Sequence, residues 1–225
     1  MRKKFSNRTV AGLMLAQELY KYTNQENLLV LALPRGGVPV AFEVAVALHV
    51  PLDVCLVRKL GAPGHEELAM GAIAASGVRI LNHHVINSLG IDDQIIQQVT
   101  AQELEELQRR DLVYRQDRPP LDITNKTVIL IDDGIATGAT MLAAIALLRQ
   151  QQPAKIVVAV PIAPPSIYEQ LHSLVDEIIC LFTPETMSAI GFWYQNFTQT
   201  TDDIVCQLLQ ESRRQEAEGR GQEGS

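Results

Sequence analysis

The sequence has no apolar run approaching the roughly 20 residues that span a bilayer; its longest are strand-sized, so no membrane protein is expected. It also has no Gly-Lys-Ser/Thr phosphate loop and no GxGxxG fingerprint, which removes the usual signatures of ATP hydrolysis and of dinucleotide binding. Cysteine is scarce: Cys55, Cys180 and Cys206 show no CxxC spacing. The first two lie in apolar stretches where a thiol acts as a small hydrophobe, and this fits a reducing, cytoplasmic compartment. No HExxH or Cys/His cluster offers a metal site, and the adjacent His83 and His84 diverge on any regular backbone, which leaves them to the surface or to loop packing. Positive charge is not in excess either. A formal net charge of -7 disfavours nucleic acid as a partner and turns attention to small molecules. No apolar segment of signal-peptide type follows the charged MRKKFSNRTV, so export is not expected.

What is present is ordinary globular composition, 47% hydrophobic and 20% charged, in 225 residues, which suits one domain with an appendage. Apolar β-branched runs alternate with helical patterns, and this predicts an α/β fold: an open, mostly parallel twisted sheet with helices on both faces. An amphipathic helix over residues 9–22 is expected to bury Leu13, Ala16 and Leu19 or Tyr20. Strands follow at 28–33 and 52–60, then a long loop through GAPGHEELAM and a hairpin around Ser76 and Gly77. A polar helix is expected from Asp92 to Arg110, strands at TVILI, KIVVAVPIA and VDEIICLF, and a last helix over 202–213. The segments divide as 1–26 (helical), 27–182 (core, with a flexible loop near 58–72), 183–216 (a small hood and helix) and 217–225 (a disordered tail).

The stretch VILIDDGIATGAT joins a strand end to a helix start. Its amides, with the hydroxyls of Thr137 and Thr140, favour an anion. The adjacent Asp132 and Asp133 repel one, so the ligand must carry hydroxyls or a cation as well as phosphate. A phosphorylated sugar satisfies both demands. An ordinary helix-capping loop would need only one of those aspartates. A second strand-to-helix junction, LPRGGVPVA, offers Arg35 and backbone amides around Gly36 and Gly37 to a charged group, or else a plain turn with a solvated arginine.

VILIDDGIATGAT resembles the phosphoribosyl pyrophosphate binding motif of the type I phosphoribosyltransferases. That resemblance, extended by PRGGVPVA, RKLGAPG and WYQNF to a bacterial group of predicted phosphoribosyltransferases, covers most of the chain. It implies that Asp132 and Asp133 hold the ribose hydroxyls, that Ala136, Thr137, Gly138, Ala139 and Thr140 hold the 5-phosphate, and that Gly134 belongs to the same phosphoribosyl pyrophosphate site. It implies a pyrophosphate loop at Arg35, Gly36 and Gly37, with a cis peptide sought in residues 34–36. Arg58 and Lys59 would neutralise pyrophosphate from the root of a flexible loop carrying His65, Glu66 and Glu67; His65 equally suits a simple exposed loop. Catalysis would then rest on Arg35, Lys59, Asp132 and Asp133.

The resemblance further implies magnesium, bound mainly through the substrate near Asp132 and Asp133, a small heterocyclic acceptor and a homodimer. Four of the eleven aromatic residues lie in FWYQNF, suited to a hood where Phe192, Trp193 and Tyr194 stack on a base, or to a structural cap. The hypoxanthine-guanine branch of the family has an aspartate where this sequence has Ala136, and ATGAT is nearer the adenine-type pattern. A non-catalytic sensor of phosphoribosyl pyrophosphate or nucleotide, regulating a partner, is the alternative on the same fold.

Overall fold

The computed structural model describes residues 4–116 and 118–222. In chain order the elements are α1 (Arg8–Glu18), a 3-10 turn (Tyr20–Tyr22), β1 (Leu28–Ala32), α2 (Gly37–Leu48), β2 (Leu52–Val54), β3 (Val57–Ala62), β4 (His65–Ala74), β5 (Arg79–Leu81), α3 (His83–Leu89), α4 (Asp93–Arg115), β6 (Thr127–Ile131), α5 (Ala139–Arg149), β7 (Lys155–Ile162), α6 (Pro165–His172), β8 (Glu177–Phe182), a second 3-10 turn (Ile190–Trp193) and α7 (Asp202–Gln222). They form two compact units. Met1–Cys55, Pro120–Thr137 and Gln152–Ser225 make the first, Leu56–Pro119 and Gly138–Gln151 the second.

The first unit is built on a five-stranded sheet in the order β2-β1-β6-β7-β8, every neighbouring pair parallel. Each residue of LLVLA in β1 and TVILI in β6 is buried, the burial that a parallel strand covered on two faces requires. Helices α1, α2, α6 and α7 pack along this sheet. Helix α1 starts at Asn7, whose side chain accepts the Val10 amide at 2.9 Å and replaces a missing helical partner. Its buried face differs from the expected one: Ala11, Gly12, Leu15, Ala16 and Leu19 are inside, whereas Leu13 is 49% and Tyr20 71% exposed. The reason is α2. A Cβ on Gly12 would lie 2.6 Å from the Val40 carbonyl oxygen, so the helices approach along the glycine and rotate the larger side chains outward. Helix α7 runs to Gln222, past the end expected at 213 and into the segment read as a tail; residues 223–225 lie outside the described residues.

The second unit holds an antiparallel sheet, β3-β4-β5, against which α5 packs through Ala143 and Leu147. It corrects two expectations. The strand expected over 52–60 ends at Val54, and Val57 opens a strand of this other sheet. The segment GAPGHEELAM is no long loop: it turns at Pro63 and Gly64, the glycine at φ 71, and returns as β4. Leu60, Ala62 and Met70 are buried in this hairpin, which outweighs its glycine, proline and charge content. The tight reversal expected at Ser76 and Gly77 is present, with Gly77 at φ 83 and the Ala74 amide bonded to the Val78 carbonyl. Asp92 caps α4 by accepting the Ile95 amide at 2.9 Å.

Candidate functional site

Strands β1 and β6 lie side by side, Ala32 opposite Ile131, and the Leu33 amide extends the pairing to the Ile131 carbonyl at 2.8 Å. The two chain segments that follow therefore leave the sheet together at its carboxyl edge, where ligands of open α/β sheets bind. One is Pro34 to Gly37, the other Asp132 and Asp133. Their packing explains both glycines. A Cβ on Gly36 would lie 2.1 Å from Asp133 Oδ2, and one on Gly37 would lie 2.8 Å from the Ile131 carbonyl oxygen and 2.9 Å from Asp132 Cα. The peptide between Pro34 and Arg35 is cis. The Gly37 amide donates to the Leu33 carbonyl, which takes it out of the expected anion-binding set. Arg35, a third exposed, lies 3.7 Å from Asp202 at the start of α7.

The acids are held differently. Asp132 Oδ1 accepts the Asp133 amide at 2.8 Å. Asp133 Oδ2 receives both Nε and Nη2 of Arg8, each at 2.8 Å, and both side chains are about 90% buried. Arg8 Nη1 donates to the Thr198 carbonyl at 2.7 Å, and its guanidinium sits 3.9 Å from the Phe197 ring centre. The Tyr194 hydroxyl donates to the Asp133 carbonyl oxygen at 2.7 Å. Backbone bonds from Phe5 to Trp193, Gln195 to Phe5 and Asn196 to Ser6 bind the N-terminal segment to the hood.

Burial pushes the Asp132 carboxyl well above its ordinary range, and the charge of Asp133 pushes the same way against the Asp133 amide and Arg8. Asp133 is raised by burial too, with the Arg8 guanidinium opposing. The site thus holds two carboxyl groups whose charge burial disfavours, one of them already paired with Arg8, and a hydroxyl-bearing or cation-bearing ligand would relieve that cost.

Of the hood aromatics expected to stack, Trp193 and Tyr194 are buried in a cluster with Phe5, Ala11 and Ile162, which withdraws them from that role; Phe192 is 62% exposed. Within the first unit, Gly134 fits between Ile162 and Ile190, where a Cβ would come within 2.8 and 2.9 Å of their side chains, and Ala136 and Thr137 are exposed. In the second unit, Gly138 at φ 76 precedes Ala139 and Thr140 at the start of α5, which has no side-chain cap. Arg58 is paired with Glu103 on α4, Lys59 is half-buried, and His65 is exposed at the start of β4. The side chains of Glu66 and Glu67 lie outside the described residues. Sequence reasoning missed Arg8 altogether. It nominated Tyr194 for a different task, because partners 125 residues from Arg8 and 61 residues from Tyr194 leave no local pattern.

The chain matches the phosphoribosyl transferase domain over residues 10–184. Two Mycobacterium tuberculosis proteins, from strains CDC 1551 / Oshkosh and ATCC 25618 / H37Rv, each carry the name "Putative phosphoribosyl transferase". They are 46% identical over 216 residues, which is 96% of this chain and 48% of theirs. The chain thus spans about half the length of the curated relatives it matches. The crystal structure of TT1426 from Thermus thermophilus superposes with a TM-score of 0.83 at 40% identity, covering 92% of this chain and 98% of that one.

Proposed function

This chain belongs to the phosphoribosyl transferase family, and on that premise we propose that it transfers a 5-phosphoribosyl group from phosphoribosyl pyrophosphate to a nitrogenous, nucleobase-like acceptor. The bond from the anomeric carbon to the pyrophosphate oxygen breaks, a bond to the acceptor nitrogen forms, and pyrophosphate and the acceptor's proton leave. The observation that supports this most is the juxtaposition at the sheet edge of the Asp132 and Asp133 carboxylates with the Pro34 to Gly37 loop, an approach possible only because residues 36 and 37 are glycine.

In this reading Asp132 and Asp133 accept hydrogen bonds from the ribose hydroxyls, the turn through Ala136, Thr137, Gly138, Ala139 and Thr140 receives the 5-phosphate, and Arg35 turns toward pyrophosphate. Arg58 and Lys59 are assigned to the leaving group by resemblance alone. Phe192, exposed in the hood, is the residue assigned to stacking on a planar acceptor. No protein nucleophile is required; positioning and neutralisation of the leaving group carry the rate. Among the described residues no group of three or more His, Cys, Asp or Glu side chains could hold a metal ion. The two hard carboxylates suit magnesium brought by the substrate, where it would neutralise the pyrophosphate.

The test is pyrophosphate release from magnesium phosphoribosyl pyrophosphate across a panel of purines, pyrimidines and other heterocycles. The Asp132→Asn/Asp133→Asn variant serves as the control. Release that depends on one acceptor and disappears in the variant is expected. Tight binding without release for any acceptor would favour the sensor reading, and equal affinity in wild type and variant would remove the assignment of the acids.

A further inference from the structure

Arg8 is the first residue of α1, far in sequence from every motif above, yet its side chain ends at the acid pair. Three features make the contact more than surface charge pairing. Both Nε and Nη2 donate to the same oxygen, Asp133 Oδ2, each at 2.8 Å, which fixes the position of that oxygen. The third nitrogen, Nη1, is tied to the Thr198 carbonyl at 2.7 Å, and Phe197 covers the guanidinium at 3.9 Å, so the arginine is itself immobilised by the hood. Tyr194, by bonding the Asp133 carbonyl, holds the backbone of the same residue. Side chain and main chain of Asp133 are thus pinned from one side.

We propose that Arg8 is a positioning residue for sugar recognition: it holds Oδ2 of Asp133 so that the remaining oxygen is presented to a ribose hydroxyl. The inference rests on the reading of Asp133 as a ribose-holding acid and adds to it the residue that orients that acid. Arg8 touches no substrate. Its effect passes through one carboxylate, and this separates it from residues of the pyrophosphate loop or the 5-phosphate turn.

That route dictates the experiment. Lysine keeps the positive charge at residue 8 but replaces a planar fork with a single rotatable donor group, so Arg8→Lys alters orientation while preserving electrostatics. Binding of magnesium phosphoribosyl pyrophosphate, ribose 5-phosphate, 2-deoxyribose 5-phosphate and inorganic pyrophosphate would be measured by calorimetry on wild type, Arg8→Lys and Arg8→Ala, with thermal unfolding of each. Arg8→Lys should weaken phosphoribosyl pyrophosphate and ribose 5-phosphate about three- to tenfold and leave pyrophosphate within twofold. Discrimination between ribose 5-phosphate and its deoxy analogue should shrink in the same variant. Arg8→Ala should weaken the ribose ligands further.

An even loss across all four ligands, in step with a loss of thermal stability, would mean that Arg8 merely holds the fold together and would overturn the inference. Unchanged ribose affinities in both variants would overturn it as well. Failure of the wild type to bind either ribose ligand would instead remove the phosphoribosyl reading itself, and this inference with it.

Discussion

Replacing Gly36 with alanine tests the architecture of the site most directly. Gly36 has φ -62 and ψ -32, a backbone conformation that any residue adopts, so the substitution introduces no backbone strain. What it introduces is a methyl group 2.1 Å from Asp133 Oδ2 and 2.7 Å from Cγ, whereas real Cβ atoms essentially never come within 3.0 Å of a neighbour. Relief requires the carboxylate to move by about 1 Å. It cannot do so freely, because Arg8 grips the same oxygen and both side chains are almost fully covered. Overpacking of this kind costs about 1–3 kcal/mol. In a chain of this size that corresponds to a fall in Tm of about 2–12 °C. The assay is thermal and urea unfolding of Gly36→Ala in two backgrounds, wild type and Arg8→Met/Asp133→Ala. The second removes the carboxylate together with its partner and so avoids a stranded charge. The loss should fall below about 0.5 kcal/mol there. Gly37→Ala meets backbone atoms instead and should stay costly in both. An equal loss for Gly36→Ala in the two backgrounds would refute the steric argument.

Asp132→Asn should stabilise the protein by roughly 1 kcal/mol at neutral pH while abolishing sugar-phosphate binding. The raised carboxyl of Asp132 means that the unfolded chain loses this proton first, so wild-type stability falls as pH rises from the unfolded value near 4. The advantage of the variant should therefore grow upward from that pH in a series of denaturant titrations, and an advantage that shrank with rising pH would contradict this. Gly12→Ala should destabilise by about 1–3 kcal/mol despite the better helix propensity of alanine, because its methyl group would sit 2.6 Å from the Val40 carbonyl oxygen; a rise in Tm would show that the two helices separate easily. At the opposite edge of the sheet, burial works against the charge of Glu177, but hydrogen bonds from Lys21, Tyr22 and Lys155 prevail and hold its carboxyl at about 2. The stability it contributes is present above about 4.5 and lost as pH falls toward 2, amounting to roughly 1 kcal/mol after screening, and Glu177→Gln should flatten the acid limb of the stability curve there.

The central sheet was legible because β1, β6 and β7 are continuous runs of residues that want to be buried on both sides, a pattern visible one residue at a time. The acid pair and the glycines of the neighbouring loop were equally legible, since each sits immediately after such a strand. The hairpin β3-β4 was not: Gly61, Pro63, Gly64 and the charges after them read as a loop, and only pairing with the strand before it gives those residues a sheet. Tyr194 was read as a face for a base because aromatic density carries no information about depth, and its hydroxyl proves to be a clamp on Asp133. Arg8 had no signal at all. Nothing in MRKKFSNRTV distinguishes the basic residue that travels to the site from those that precede it.

The clamp on Asp133 also sets an order of events during synthesis. Arg8 is made first, Asp133 is added 125 residues later, and Thr198, which anchors the arginine, is 190 residues beyond Arg8. The pairing of β1 with β6, Leu28 opposite Thr127, is itself a distant contact, but Thr198 lies beyond the last strand of the sheet. On the ribosome, therefore, all five strands of the sheet are made before the residue that anchors the cation of Asp133, and the acid site is complete only when translation has passed the hood.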